Sequence, residues 1–392
     1  MSGTQTYGTV TKTFHWLTAL LILTIVPLGV IAYDLPYETN EQLALKAQLF
    51  SLHKTLGVTV FFVALARILW ALTQTKPAPL HPDRKSETWL AETVHWLLYI
   101  SLVAVPLTGW IHHAATEGFA PILLPISQDL PFVPNDEAVA KLFGGLHWLW
   151  SKIMVGSILL HIAGALKHQF IDKDATLRRM WFGGSEVTTQ GSHKGTFTAP
   201  LAAVAIYAAL TSVGAAVGLY AAPEQVQTAD LAEVSSEWTV NEGSIALTIT
   251  QFGSPVSGGF ADWTSAITFD ETATGVLGAV ETTIAIGSLS LGSVTGQALD
   301  ADFFNATTFP TAIFTADILA DGDNYVADGT LTIKDVSAPL SLPFTLTLDG
   351  GTATMNGSVI IDRRTFAIGQ SMSDETNLAF PVQVDIALTA TR

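Results

Sequence analysis

Five long apolar runs constrain the first half of this chain more than any other feature. They cover roughly residues 14–33, 51–72, 93–113, 146–170 and 197–219, each near the ~20 residues an α-helix needs to cross a bilayer core. In lipid every backbone N–H and C=O must find its partner within the segment, so such runs fold as membrane helices. Pro27 and Pro106 fall inside two of them, where neighbouring helices accommodate the kink. The first run reads as a span and not as a cleaved leader: a His-Trp pair opens it, no small-x-small site closes it, and further spans follow.

Loop charge predicts the orientation. Lys76, Arg84 and Lys85 lie between the second and third runs, and Lys167, Lys173, Arg178, Arg179 and Lys194 follow the fourth. The alternate loops carry Asp34, Glu38 and Glu41, and Glu117, Asp129, Asp136 and Glu137. Positive charge on short loops marks the cytoplasmic side. The N-terminus is therefore expected inside, with the chain after the fifth run outside.

The membrane half is rich in histidine. The chain has 10 histidines and no cysteine, which removes disulfides, thiolate metal sites and covalent CxxCH haem attachment together. "FHWLT", "VHWLL" and "LHWLW" place a His-Trp pair at the mouths of three runs. An ionisable side chain inside a span is rare and faces the bundle interior, while tryptophan anchors the interface. On the fourth run His147 and His161 stand 14 residues apart, which on a helix is within ~40° of whole turns and ~21 Å of rise. They share a face at two depths. His15 opens the first run at the inner depth and can meet His161; His53 opens the second at the outer depth and can meet His147. Facing imidazoles at each of two levels are the axial ligands of two stacked, non-covalent haem b groups, whereas zinc or copper calls for more ligands clustered at one depth.

The other candidates carry two readings each. His95 suits a quinone-facing proton acceptor or a haem-propionate partner, or an interfacial histidine. Arg67 and Lys54 could neutralise propionates or snorkel to the headgroups. His168, seven residues beyond His161, is a propionate or quinone-site candidate or an interfacial anchor. Gly57, Gly156 and Gly164 would let a flat macrocycle approach, or serve close helix contact. His112 and His113 lie near the outer end of the third run, while His81 and His193 are loop histidines without a constellation.

The motifs "FHWLTALLI", "LHKTLGVTVFFVALARILWAL", "VHWLLYISLVAVPLTGW" and "HWLWSKIMVGSILLHIAGALKHQF", followed by the basic "DKDATLRRM", resemble the bacterial cytochrome b561 family over residues 1–180. They are also similar to the membrane cytochrome b subunits of formate dehydrogenases and hydrogenases. The resemblance implies a four-helix dihaem bundle that oxidises a membrane quinol, with ligands on His15, His53, His147 and His161. Residues 181–220 would form a cytoplasmic linker and the fifth transmembrane helix, and 221–237 a second linker.

Beyond residue 237 the hydrophobic period changes to two, as in "EWTVNEGSIALTITQF" and "YVADGTLTIKD", the alternation of half-buried antiparallel strands. This part reads as an all-β sandwich or barrel. Its interior could be a packed core or could enclose an elongated apolar ligand. From Val226 onward 20 acidic residues face 4 basic ones, which makes nucleic acid an unsuitable partner. "ALDADFFNATTFPTAIF" reads as a helical turn entering a strand, and "DGDNYVADG" as turn chemistry more than a calcium loop. The segments "WTVNEGSIALTI", "VSGGFADWTSAITFD", "LDADFFNATTFPTAIFTA", "VADGTLTIKDVSAPLSLPFTLT" and "RRTFAIG" resemble the YceI family over 238–392. That likeness implies a periplasmic, lipocalin-like antiparallel barrel around a polyisoprenoid, the kind of tail ubiquinone carries. Where many members place a histidine before the glycine of strand two, this chain has Gln251 and Phe252; burial of a tail, which needs only apolar walls, is less affected.

The expected protein is thus an all-α transmembrane dihaem bundle with a fifth helix, followed by an all-β barrel. It would pass electrons from ubiquinol through two haems to an unidentified acceptor. Its partners are the lipid bilayer and the quinone pool, and a homodimer is an admissible assembly. The alternative is a membrane-anchored isoprenoid-binding protein whose haem bundle is a tether or redox sensor.

Overall fold

The computed structural model describes residues 3–4, 6–74, 77–78, 80–81, 83–116, 119–183, 188–189, 196–221 and 228–392. Lys76, Glu117, Lys194 and His193, and residues 222–227 of the second linker, lie outside the described residues. Two compact units divide the chain. The first comprises Met1–Asp34, Gln48–Ala115 and Pro121–Ala221; the second comprises Leu35–Ala47, Thr116–Ala120 and Ala222–Arg392.

The first unit contains the five apolar helices: α1 (Thr9–Asp34), α2 (Asn40–Leu72, whose first turns belong to the second unit), α3 (Lys85–Ala114), α4 (Glu137–Lys167) and α5 (Thr198–Ala216). All five are long and apolar enough to cross a membrane. Asp136 caps α4 by accepting from the backbone N–H of Val139 at 2.8 Å, which satisfies one of the orphan donors of a helix start. A π-turn at His168–Asp172 ends that helix, with Lys173 in the left-handed region at φ 55°. Strands β1 (Gly3–Thr4) and β2 (Thr188–Thr189) form a two-residue ladder.

Among the helices, α3 packs most extensively against α4 and then α5. Leu97 and Ile153 pack there on Ala203 and Tyr207 of α5, and Ser101 and Tyr207 share a 2.6 Å hydroxyl bond. The fifth helix is therefore seated in the bundle. Val60 and Ala64 of α2 meet Leu102 of α3 and Leu21, Ile22 and Ile25 of α1 in a separate cluster.

The second unit is a curled, wholly antiparallel sheet. Its strands are β3 (Thr239–Gln251), β4 (Ser254–Phe260), β5 (Trp263–Phe269), β6 (Val276–Ala285), β7 (Leu289–Ser290), β8 (Thr311–Asp321), β9 (Asn324–Ile333), β10 (Val336–Asp349), β11 (Thr352–Asp362) and β12 (Pro381–Thr391). They pair in the order β5-β6-β8-β9-β10-β11-β12-β3-β4-β7. The expected closed barrel is thus a half-barrel with two edges: among the described residues no ladder joins β5 to β4 or β7. The seam is bridged instead by the backbone N–H groups of Glu237 and Trp238, both donating to the Ile267 carbonyl, and by Ser236 Oγ, which accepts from Ile267 N–H. A short helix α6 (Thr295–Leu299) reaches only two residues into the stretch expected to hold a helical turn, and turns follow it before β8. The β8–β9 hairpin turns on Gly322 at φ 62°, the turn chemistry expected of "DGDN". Phe269, Phe314, Leu331, Leu342 and Phe344 form the main core.

Candidate functional site: paired histidines in the helical unit

His53 of α2 faces His147 of α4, with ring centroids 6.1 Å apart and planes at 90°. Each ring is held by the same device. His53 Nδ1–H donates to the carbonyl of Ile25 at 3.1 Å, and His147 Nδ1–H to that of Val105 at 2.9 Å. A carbonyl can only accept, so both Nδ1 atoms carry the proton and Nε2 keeps the lone pair a metal needs.

The residue four positions after each carbonyl is glycine. A Cβ at Gly29 would stand 2.6 Å from His53 Cε1, and one at Gly109 would stand 2.9 Å from His147 Cε1. Helix Cβ atoms tilt towards the N-terminus and cover the preceding turn, so omitting one exposes the carbonyl for a second hydrogen bond. His112 repeats the arrangement, with Nδ1 bonded to the Ala140 carbonyl at 2.7 Å and Gly144 beneath the ring. The stretches "IVPLG" and "VPLTG" carried this signal, but their prolines read only as kinks and their glycines were not singled out.

At the other end of α4, His161 faces His15 of α1, again at 6.1 Å, with planes at 61°. His95 of α3 joins them, its ring centred 5.0 Å from that of His161 and its Nδ1 bonded to the Ala91 carbonyl at 2.7 Å. This level therefore gathers three imidazoles where the sequence reading counted two ligands. Arg67 lies over Tyr99 at 5.9 Å, and Tyr99 in turn lies 6.3 Å from His95.

The remaining candidates go elsewhere. Lys54 Nζ contacts His113 Nδ1 at 3.2 Å, and His113 Nε2 contacts Gln128 Oε1 at 3.0 Å. His113 thus accepts from the ammonium and donates to the amide. His168 Nδ1 and His81 Nε2 both bind Asp174 Oδ2, at 2.7 and 3.0 Å, and their rings stack at 6.3 Å. Burial raises the Asp174 carboxyl pKa, but hydrogen bonds from Thr176 and from both imidazoles outweigh it and leave it below the usual carboxylate value. His81, His168 and Asp174, and Glu87, His168 and Asp172, bring potential ligand atoms within 4.8 Å of one another. Among the described residues, and apart from the helix's own nearby backbone, no atom lies within 4 Å of a Cβ added at Gly57, Gly156 or Gly164.

A haem iron held between two imidazoles fixes the spacing of their rings. Two imidazoles bound to one ion through bonds of ~2.0–2.1 Å, with ring centres ~1.1 Å beyond each nitrogen, have centroids about 6.3 Å apart. Both pairs stand at 6.1 Å, and the outer pair already has the ligating tautomer. The residues fit the group.

The prokaryotic cytochrome b561 family matches residues 6–183. Cytochrome b561 homolog 2 of Escherichia coli K12 is 34% identical over 186 residues, 46% of this chain and 95% of the relative. The chain belongs to the cytochrome b561 family. A probable superoxide oxidase of Yersinia pestis, CybB, is 26% identical over 133 residues, 33% of this chain and 72% of the relative. The b561 unit is fused to a second domain, since residues 237–390 match the YceI-like domain. The crystal structure of Burkholderia cenocepacia BcnA aligns with 30% identity and a TM-score of 0.36, covering 38% of this chain and 96% of that one. As a multi-pass b561 protein with a YceI-like domain, the chain has an electron-carrier character and an inner-membrane topology.

The YceI-like unit encloses a cavity of about 270 Å³. Ile245, Leu247, Ile249, Phe314, Leu331 and Met355 are among its apolar walls. Arg363 also lines it, 3% exposed. All five of its N–H donors are directed at carbonyls, those of Ala379, Ile368, Gly369, Met372 and Leu378, at 2.7–3.1 Å.

Proposed function

We propose that this protein is a membrane electron carrier that oxidises ubiquinol, with two non-covalent haem b groups held by His15 with His161 and by His53 with His147. The observation that carries the reading is the pair of facing imidazole couples along one helix, each at the spacing a single ion requires. Haem b, when bound, supplies reversible one-electron chemistry at iron. The protein's residues do the rest. Each imidazole pair would hold the iron of one haem and so keep small ligands away from it. The Ile25 and Val105 carbonyls fix the tautomer of the outer ligands and raise their basicity.

Quinol oxidation releases protons with its electrons, and a basic nitrogen near the site must take them. His95, whose Nδ1–H donates to the Ala91 carbonyl and whose ring lies beside His161, is the candidate for that task. The His168–Asp174–His81 cluster offers the next acceptor. Arg67 would supply positive charge for propionates at the inner level, whereas Lys54 is engaged with His113 and would have to leave it to do so at the outer level. The loop charges support a cytoplasmic N-terminus and a periplasmic YceI-like unit, whose apolar cavity accommodates an isoprenoid tail. A second reading comes from the CybB relative, a probable superoxide oxidase, which would make superoxide the reductant.

Purified protein should give two haems per chain by the pyridine haemochrome assay, both extracted by acidified solvent, and a reduced b-type spectrum on adding quinol. Reduction by superoxide but not by quinol would favour the second reading. Reduction by neither would leave an isoprenoid-binding protein with a haem-containing tether.

A further inference from the structure

The inward stripe of β3 runs Ile245, Leu247, Ile249 and then Gln251, all lining the cavity. Three aliphatic side chains are followed by an amide. Gln251 is 3% exposed, and its Oε1 is buried without a hydrogen-bond partner. The backbone around it is fixed on both sides. Gln251 pairs with Ser254 across the β3–β4 hairpin, whose turn residues Phe252 and Gly253 both have positive φ, and it bridges to Leu378. Phe252 N–H donates to Asn377 O, and Ala379 N–H donates to Thr250 O. The side chain therefore cannot leave the cavity by a small backbone adjustment.

An orphaned amide oxygen inside an apolar chamber is unfavourable unless something donates to it. Several other polar groups of the wall are paired within the protein, and Gln297 adds a second amide to it. Ser265 and Thr282 bond to each other at 2.8 Å, and the guanidinium of Arg363 has all its donors on carbonyls. No donor of Arg363 is left for a phosphate.

We infer that Gln251 is the recognition group of this cavity, which takes an uncharged molecule with an apolar tail and a terminal hydroxyl that donates to Gln251 Oε1. The inference rests on the tail-binding reading above and adds the chemistry of the head. A prenyl alcohol and a long-chain hydroquinone share that chemistry; an ether, a quinone carbonyl and a prenyl phosphate do not.

The test uses the full-length protein in detergent, with retention of radiolabelled geranylgeraniol competed by unlabelled geranylgeraniol, its methyl ether and its phosphate. The alcohol should compete about tenfold more strongly than the ether, the worth of one hydrogen bond to a buried, otherwise unpaired oxygen, and the phosphate should be no better than the ether. Gln251→Leu should lose about tenfold for the alcohol while the ether binds at least as well as before. Equal competition by alcohol and ether in the native chain, or preference for the phosphate, overturns the assignment and leaves tail binding standing. No retention of labelled alcohol removes the tail reading and this assignment together. A native-like preference for alcohol over ether in Gln251→Leu overturns the role of Gln251. A long-chain hydroquinone added as a further competitor separates the two sources: whichever of alcohol and hydroquinone competes better names the physiological class.

Discussion

Gly29→Ala adds one methyl group to a membrane helix, yet it should disable one of two redox centres. The new Cβ would lie 2.6 Å from His53 Cε1 and 2.8 Å from its Nδ1. Carbon atoms settle at about 3.5–4.0 Å, so the ring must recede by roughly 1 Å. The bond from His53 Nδ1 to the Ile25 carbonyl, 3.1 Å long, would stretch to about 4 Å and cease to be a hydrogen bond. Leaving that donor unpaired costs ~1–3 kcal/mol, and loss of such a partner behind a ligating histidine typically lowers metal affinity ~10–100-fold. Redox titration followed by low-temperature spectroscopy of membranes should show the outer component lost or shifted and the inner one intact. Gly109→Ala, acting on His147 at 2.9 Å, should strike the same component from the opposite side. An unchanged outer component in Gly29→Ala would refute the reasoning, since the ring would then not depend on that carbonyl.

Three further outcomes are expected. His15→Ala or His161→Ala should remove the inner spectral component, and His53→Ala or His147→Ala the outer one; loss of the same component in the His15 and His53 variants would break the pairing. Protease added to intact spheroplasts should remove the YceI-like unit and spare the helices, whereas protection would reverse the topology. Arg363→Met strands five buried carbonyls and should destabilise the segment 363–379 by ~3 kcal/mol or more, seen as faster amide exchange there in the full chain; unchanged exchange would show that the guanidinium does not organise it.

Much of this was legible because helical phase and depth are arithmetic. Fourteen residues between His147 and His161 placed two imidazoles on one face at two levels, and the structure brings His53 and His15 to them. Period-two alternation likewise announced the strands. What escaped the sequence depends on contacts between distant segments. The carbonyls behind His53 and His147 lie on other helices, 28 and 42 residues away, and Gly29 and Gly109 gain their meaning only once those rings lie on them. His81 lacked a constellation because its partner Asp174 is 93 residues on. That Leu35–Ala47 would group with the curled sheet was hidden for the same reason. There Asn377 Nδ2 donates to the Asn40 carbonyl at 2.6 Å, and Leu43 packs on Met372 and Leu378, pairings no local pattern encodes. The open seam beside β5 also escaped, because alternation reveals which face of a strand is buried but not whether its last edge finds a ladder.

One helix, α4, carries a partner of both imidazole pairs. In a carrier that moves electrons between the two levels, tunnelling probability falls exponentially with the gap, so small changes in spacing would alter turnover steeply. Here the gap is set along a single α-helix at ~1.5 Å per residue, a rod whose length is stiff against thermal motion. Movements of α1 or α2 can tilt or tune an individual centre without changing the height of one above the other. An insertion or deletion of one residue between His147 and His161 would instead rotate one ligand by ~100° about the helix axis and take it out of its pair. On the dihaem reading, the rate between levels and the identity of the centres would both be set by the same fourteen-residue interval.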